Sequence, residues 1–167
     1  LAGLLPACPH LVRAMPNTPA AIGRGASVAV PNAAVGAVGR ALASALLGAV
    51  GIVEWVEDED LMDAATAVSG SGPAYAFLLA EVMAAAGVKA GLPPELSARI
   101  ARATVAGAGA LMDASDLPAA TLRQNVTSPG GTTAAALAIL MDEARGMGPL
   151  MTDAVAAATR RGKELAG

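Results

Sequence analysis

Apolar and polar positions follow two different patterns along the chain, and the pattern changes near Glu57. Before it, short runs rich in Val, Ile and Ala predict β-strands over residues 10–15, 26–30 and 51–56. Apolar positions at helical spacing predict one helix over residues 33–47, between the second and third strands. Strand, helix, strand is α/β organisation. Three strands and one helix are too few to bury both faces of a parallel sheet, so we expect this segment to be the end of a larger domain.

After Glu57 the pattern predicts helices only. Proline marks most of the predicted starts, as is usual in the first helical turn. The predicted helices cover residues 59–68, 73–90, 93–114, 118–126, 129–144 and 149–165. We therefore expect a mostly α protein, with residues 1–58 as one domain and residues 59–167 as an all-helical second domain.

The apolar residues are small. The 167-residue chain is 54% hydrophobic but only 2% aromatic, so its core must be built from Ala, Val, Leu, Ile and Met. So high an apolar content predicts surface that a partner subunit covers. Lys and Arg are scattered and the net charge is −3, which argues against nucleic acid as a partner. No uninterrupted apolar run reaches the ~20 residues of a membrane span, and no basic stretch marks a secretory signal.

Metal chemistry has little support in the sequence. One His and one Cys, His10 and Cys8, argue against a transition-metal site, and a single Cys fits a reducing cytoplasm. For His10 a structural or exposed role is favoured over a catalytic one. Acidic residues cluster where the pattern changes, and we interpret them as a solvated turn and a negatively charged helix start rather than as metal ligands. They are Glu54, Glu57, Asp58, Glu59 and Asp60.

A candidate anion site lies at residues 128–133, Ser-Pro-Gly-Gly-Thr-Thr. We predict Ser128 as the N-cap and Pro129 as the first residue of a helix, which places Gly130 and Gly131 inside its first turn. Glycines there leave uncovered the amides that have no intrahelical partner and carry the positive end of the helix dipole. Such a turn can bind a carboxylate or a phosphate. A flexible helix start with no ligand is the alternative.

Two further motifs combine small or polar residues with proline. Residues 67–75, Ala-Val-Ser-Gly-Ser-Gly-Pro-Ala-Tyr, again lead small residues into a predicted helix. In residues 13–19, Arg-Ala-Met-Pro-Asn-Thr-Pro, the two prolines fix a rigid turn after the first strand. Asn17 and Thr18 are expected to present polar groups where a parallel strand ends, which is where open α/β sheets bind ligands.

These motifs, in this order and spacing, resemble pyrroline-5-carboxylate reductase. The matching stretches are residues 12–19, 69–75 and 124–133, with further matches at 86–93 and 152–159. Members of that family reduce a cyclic imine to proline with NAD(P)H. They begin with a Rossmann half that carries a glycine-rich dinucleotide fingerprint, and no such motif occurs in this sequence. The Gly-x-Gly at 70–72 follows a predicted helix rather than a strand.

The resemblance therefore implies that this sequence contains the end of the family's nucleotide-binding domain followed by its helical domain. Residues 1–58 are expected to be the C-terminal remnant, the last strands and helix, of the NAD(P)-binding Rossmann domain. Residues 59–167 are expected to be the helical dimerisation and substrate-binding domain, which forms a homodimer or a higher assembly of dimers. The implied cofactor is NADPH or NADH, and the implied location is the cytoplasm.

The resemblance also implies roles for individual residues. The cofactor side is implied to include Ala14, Met15, Pro16, Asn17, Glu59 and Asn125. The substrate carboxylate is implied to be held by Ser128, Gly130, Gly131, Thr132 and Thr133. Thr66 and Asp116 are implied to lie near the ring nitrogen, where a proton must be supplied. Two alternatives stay open, because Asp116 can instead cap the next helix and the Thr66 hydroxyl can bond back to its own helix.

The expected function is reduction of 1-pyrroline-5-carboxylate to L-proline, the last step of proline biosynthesis, in the full-length enzyme. A related NAD(P)-dependent imine or hydroxyacid dehydrogenase is one alternative. An oligomerisation module without activity of its own is another, and we expect the chain alone to be inactive because it lacks the fingerprint that binds pyrophosphate.

Overall fold

A computed structural model describes residues 7–166 of the protein. Its first part contains three strands, β1 (Val12–Met15), β2 (Gly25–Pro31) and β3 (Gly51–Trp55). One α-helix, α1 (Ala37–Gly48), lies between β2 and β3 in the chain. The strands and the helix predicted from the apolar pattern are therefore confirmed, with boundaries that differ by a few residues.

The three strands form one sheet in the order β1-β2-β3. β2 and β3 are parallel, with Gly25 opposite Gly51, and α1 makes the crossover between them. β1 and β2 are antiparallel, with Val12 opposite Pro31. The expectation that β1 is a parallel strand was wrong. The connection after β1 holds only a short 3₁₀ helix, Thr18–Ile22, whereas a parallel crossover needs about a dozen residues or more.

The rest of the chain is helical. A 3₁₀ turn (Glu59–Leu61), helix α2 (Met62–Ala65) and a π turn (Thr66–Gly70) replace the single helix predicted over 59–68. The remaining helices are α3 (Gly72–Lys89), α4 (Pro94–Asp113), α5 (Ala119–Asn125), α6 (Thr132–Leu140) and α7 (Met147–Ala166). The predicted class, mostly α with a small sheet before the helices, is confirmed.

Helix α6 is shorter at both ends than the predicted helix over 129–144. At its start, Gly130 has φ +69, in the left-handed region, and an α-helix cannot continue through that conformation. After its end, the Asp142 carboxylate accepts hydrogen bonds from the amides of Ala144 and Arg145 at 3.0 and 2.7 Å. A side chain that binds backbone amides two and three residues on favours a turn over a helix.

Contacts divide the chain into two compact units. The first contains the residues up to Pro73 and those from Ala154 onward, and the second runs from Ala74 to Asp153. The predicted domain boundary between residues 58 and 59 stays a prediction. In the first unit, α2 packs on β2, and Ala29, Met62 and Ala67 form the fully buried apolar centre.

The second unit has almost no core of its own. From Ala74 to Asp153, only Ser97, Ala101 and Gly146 are buried. Large apolar side chains of this unit lie on the surface instead, including Phe77, Leu78, Val82, Leu111, Met112, Ile139 and Leu150. Burial of apolar side chains is the main favourable contribution to folding, so these helices need a further apolar surface to fold stably.

One close contact joins two helices of the second unit. The Ser97 hydroxyl of α4 donates a hydrogen bond to the Ala84 carbonyl of α3 at 2.7 Å. Gly87 of α3 faces the same hydroxyl, and a Cβ atom at position 87 would collide with Ser97 Oγ. The absence of a side chain at Gly87 therefore lets α3 and α4 approach at this point.

The apolar character of α3 also bears on membranes. Among the described residues, the helical stretch Glu59–Lys89 is long and apolar enough to cross a membrane by length and composition alone, with a mean hydropathy of 1.3 over the most apolar window. None of that window is buried within the chain. A single helix of this kind is weak evidence for a membrane protein, since the core helix of a soluble protein passes the same test.

Candidate functional site

The turn after β1 is held by the side chain of Asn17. Its Nδ2 donates to the carbonyl and hydroxyl oxygens of Ser69 at 3.2 and 3.3 Å. Its Oδ1 accepts from the amide of Ala26 at 2.9 Å. Both amide protons and the carbonyl oxygen are therefore bound within the first unit. If Asn17 contributes to a cofactor site, it does so by fixing the turn, because its side-chain donors are already used.

Ser69 completes this cluster from the π turn. Its hydroxyl donates to the Ala26 carbonyl at 3.3 Å, so Asn17, Ala26 and Ser69 form a closed ring of hydrogen bonds, here called the Asn17 clamp. In an α-helix the Ser69 carbonyl would accept from the amide four residues later, but that residue is Pro73, which has no N–H. The carbonyl is thus left available for Asn17. The sequence carried this signal in the spacing of Ser69 and Pro73, and we did not predict it.

Thr66 begins the π turn. Its Oγ1 donates to the Met62 carbonyl at 2.7 Å, which is the back-bonded arrangement named above as the alternative. Gly70 lies beside it, and a Cβ there would be 3.0 Å from Met15 Cε and 3.3 Å from Thr66 Cγ2. The structure therefore brings Met15, Thr66 and Gly70 together, with the Thr66 oxygen available as an acceptor.

Two carboxylates of the acidic cluster are paired with arginines. Glu59 contacts Arg13 at 2.9 Å. Glu57 accepts two hydrogen bonds from Arg40, both 2.6 Å long. Those bonds lower the pKa of the Glu57 carboxyl and raise the pKa of Arg40.

Asp58 of the acidic cluster and His10 each bond to the backbone. Asp58 accepts from the amide of Asp60 at 2.9 Å and caps the 3₁₀ turn. His10 Nδ1 is hydrogen-bonded to the Ala34 carbonyl at 2.7 Å, a structural contact. Among residues 7–166, no three side chains of His, Cys, Asp or Glu are grouped so that they could hold a metal ion.

The loop before α6 differs from its prediction. Ser128 is not the N-cap, and the two glycines do not lie inside the helix. Gly131 is the N-cap, and its amide donates to the Ser128 carbonyl at 3.1 Å. Proline at the second position and a left-handed glycine at the third are typical of a type II turn. Residues 128–131 thus form a turn that leads into α6, because Gly130 adopts the left-handed conformation.

The start of α6 is nevertheless open in the way an anion site requires. Its N-cap is a glycine, and no side chain caps the helix. The amides of Thr132, Thr133 and Ala134 have no hydrogen-bond partner among the described residues, nor have the hydroxyls of Ser128, Thr132 and Thr133. Free amides at a helix start carry partial positive charge and bind anions.

Asp116 and Asn125 lie on the surface of the second unit. Asp116 does not cap the next helix, because α5 has Pro118 as its N-cap and no side chain bonds to its first amides. The capping interpretation was therefore wrong, and Ser115 Oγ instead accepts from the amide of Leu117 at 3.2 Å. Asn125 is the exposed last residue of α5.

The predicted site residues thus fall into two groups. Residues 14–17, Glu59 and Thr66 belong to the first unit, where the Asn17 clamp, Met15 and Thr66 lie close together. Asp116, Asn125 and the 128–133 loop belong to the second unit. The roles assigned to these residues remain predictions.

Comparison with known proteins identifies the family. Residues 59–165 match the family model described as pyrroline-5-carboxylate reductase dimerisation. The chain is 47% identical over 156 residues to pyrroline-5-carboxylate reductase of Pseudomonas aeruginosa, covering 93% of this chain and 56% of the relative. It is 45% identical over 155 residues to the Synechocystis enzyme of that name, with 93% and 57% covered.

Solved structures similar to this chain belong to the same family. A pyrroline-5-carboxylate reductase from Coxiella burnetii has a TM-score of 0.87 at 40% identity, covering 93% of this chain and 57% of that one. The Plasmodium falciparum enzyme, solved with NADP bound, has a TM-score of 0.79 at 35% identity, with 95% and 59% covered. The chain spans a little over half the length of these relatives. The match to the family model shows that the chain belongs to the pyrroline-5-carboxylate reductase dimerisation family.

Proposed function

We propose that the full-length protein reduces 1-pyrroline-5-carboxylate to L-proline with NADPH or NADH, the last step of proline biosynthesis. The observation that carries this proposal is the uncapped start of α6, where three neighbouring amides and three hydroxyls are free of partners among the described residues. In a chain of this family, that start offers a site for the substrate carboxylate.

The chemistry favours amides over a cationic side chain at this position. Hydride adds readily to a protonated cyclic imine, so the protein must hold the ring in place and keep its nitrogen protonated. The amides of Thr132, Thr133 and Ala134 bind a carboxylate through partial charges. A Lys or Arg beside the ring would instead disfavour the positively charged iminium. The uncapped helix start therefore fits this substrate better than a cationic pocket would.

The proton at the ring nitrogen requires a nearby acceptor or anion. Asp116 is exposed and caps no helix, so its carboxylate is available to stabilise the iminium. The Thr66 hydroxyl donates its proton to the Met62 carbonyl at 2.7 Å, so Thr66 can accept a hydrogen bond but can donate or relay a proton only if that bond breaks. These roles make Asp116 the stronger candidate of the two.

The turn after β1 fits the nicotinamide side of a cofactor cleft. Residues 14–16 at the end of β1 are apolar, and the last of them, Pro16, is exposed. The Asn17 clamp holds the turn in one conformation. NADPH or NADH, when bound, supplies the hydride that reduces the C=N bond. Residues 14–16 would line the ring, and Asn17 would keep that lining in place.

The protein acts as a homodimer or a higher assembly of dimers. The second unit has one buried apolar side chain, Ala101, and many exposed ones. A second copy of the same unit offers a matching apolar surface, and obligate homodimers bury such surfaces in the way a domain buries its core. We place the protein in the cytoplasm, and neither nucleic acid nor a membrane is among its proposed partners.

The proposal is tested by measuring NADPH and NADH oxidation by the purified full-length protein in the presence of 1-pyrroline-5-carboxylate. We expect oxidation that depends on the imine and yields proline. Oxidation that no imine stimulates would contradict the proposal. The 167-residue chain assayed alone should oxidise neither cofactor, since its sequence lacks the dinucleotide fingerprint, and turnover by the chain alone would show that expectation to be wrong.

A further inference from the structure

The Asn17 clamp joins two segments that are far apart in the sequence. Continuing the antiparallel register of β1 and β2 past Met15 and Val28 places residue 17 opposite Ala26. At that position the Ala26 amide donates to the Asn17 side chain, Oδ1, at 2.9 Å. Ser69 then binds both the Asn17 side chain and the Ala26 carbonyl.

We propose that Ser69 is a positioning residue, which holds the turn after β1 in the conformation that lines the nicotinamide side of the cofactor cleft. Nothing in the clamp gives Ser69 a contact with the reacting atoms. Its hydroxyl and its carbonyl fix both protons of the Asn17 amide, and Asn17 fixes the turn. This inference rests on the proposed function, because the turn matters only if a nicotinamide cofactor binds there.

Packing at Gly70 supports the same role. The next residue after Ser69 has no side chain, and a Cβ there would lie 3.0 Å from Met15 Cε. The π turn therefore presses directly on the Met15 side chain while Ser69 binds Asn17. π turns occur often at functional sites. The two contacts fix both ends of the Met15–Asn17 turn against the same segment.

The test uses three variants of the full-length protein. Ser69→Ala removes the hydroxyl from the clamp but leaves the Ser69 carbonyl bond. Ser69→Thr keeps a hydroxyl. Ser71→Ala is the matched control, because the Ser71 hydroxyl, also half-buried, has no hydrogen-bond partner among the described residues. For each protein, the dissociation constant of NADPH is measured by fluorescence without imine, together with the melting temperature and the Michaelis constants.

If only a fraction of the molecules hold the turn in its binding conformation, the apparent dissociation constant of NADPH equals the intrinsic one divided by that fraction. For Ser69→Ala we expect it to rise by about 5- to 10-fold. The Michaelis constant for NADPH should rise in parallel, and that for the imine should stay within about twofold of the wild type. Ser69→Thr and Ser71→Ala should bind NADPH as the wild type does. The melting temperature should change little in all three, since the lost bonds are long and partly exposed.

Unchanged NADPH binding by Ser69→Ala, in a wild-type enzyme that reduces the imine, would overturn the inference and leave the proposed function standing. Equal losses for Ser69→Ala and Ser71→Ala, or equal rises in both Michaelis constants, would also overturn it. Weaker NADPH binding by Ser69→Ala alone, in a protein that does not reduce the imine, would support the inference and refute the proposed function. A wild-type protein that binds neither NADPH nor NADH would refute both.

Discussion

Replacement of Gly87 by alanine tests the packing of the second unit. In most helix interiors this change stabilises a protein by about 1 kcal/mol, through helix propensity. Here the new methyl group would collide with Ser97 Oγ. The Ser97 side chain must then rotate away and lose its 2.7 Å hydrogen bond to the Ala84 carbonyl.

The magnitude follows from these two contributions. A buried hydroxyl that loses its partner costs about 1–3 kcal/mol, and helix propensity returns about 1 kcal/mol of this. We therefore expect Gly87→Ala to lower the free energy of unfolding by about 1 kcal/mol. In a Ser97→Ala background the obstructing oxygen is gone, and the nearest atoms are Leu92 Cδ1 at 3.3 Å and the Cβ of residue 97 at 3.4 Å. There the same change should be neutral or stabilising.

The assay is a double-mutant cycle by denaturant unfolding at one fixed protomer concentration, because association changes apparent stability. The four proteins are the wild type, Gly87→Ala, Ser97→Ala and the double variant. We expect a coupling energy of about 1–2 kcal/mol, well above the ~0.5 kcal/mol within which independent sites add. Additive effects, or a stabilising Gly87→Ala in the wild-type background, would refute the close contact between α3 and α4.

Three further predictions concern other parts of the chain. Gly130→Ala should lower the free energy of unfolding by about 1–2 kcal/mol, since φ is +69 at that residue. Gly131→Ala at the N-cap should lower it by less than about 1 kcal/mol. Equal losses for the two variants, measured by denaturant unfolding, would count against the turn at residues 128–131. The pairing with Arg40 lowers the pKa of Glu57, so this pair stabilises the fold at pH values above the ordinary pKa of glutamate and loses that effect as pH falls through the lowered pKa. Arg40→Ala should raise the pKa of Glu57 measured by NMR, and an unchanged titration of Glu57 would exclude the pairing in solution. Phe77 is 69% exposed. If a second copy of the chain covers it, Phe77→Asp should convert dimers to monomers or unfolded chains, as measured by sedimentation velocity. A dimer of unchanged affinity would place the interface elsewhere.

The strands and helices were predictable where a periodic pattern decides the structure. The run from Ala26 to Val30 has the β-branched residues of a strand, and α1 has apolar positions at helical spacing. The start of α6 was not predictable in this way. Ser128 and Pro129 are common at helix starts and also in turns, and the left-handed φ of Gly130 decides between the two.

The site was predictable at the level of motifs and less so at the level of contacts. The glycines and threonines predicted an open helix start, and α6 has one, although it begins at Thr132 and the Gly131 amide is bonded to the Ser128 carbonyl. That an anion binds there stays a prediction. The Asn17 side chain is bonded to Ser69, which lies 52 positions later in the chain, and no local pattern shows that pairing. For Thr66 the sequence left two alternatives open, and the structure has the back-bonded one, in which the Met62 carbonyl accepts the hydroxyl proton.

The central claim, that the start of α6 holds the substrate carboxylate, is tested most directly by comparing two imines. The full-length enzyme and its Gly131→Ala variant are assayed with 1-pyrroline-5-carboxylate and with 1-pyrroline, which lacks the carboxylate. A hydrogen bond to a charged group contributes about 1.5–3 kcal/mol. If the added methyl group costs the carboxylate one hydrogen bond to the amides at the start of α6, the preference for the carboxylated imine should fall by about 10- to 100-fold. We predict that the variant loses kcat/KM for 1-pyrroline-5-carboxylate by this factor and keeps it for 1-pyrroline. An equal loss for both imines, or no loss for either, would contradict the claim.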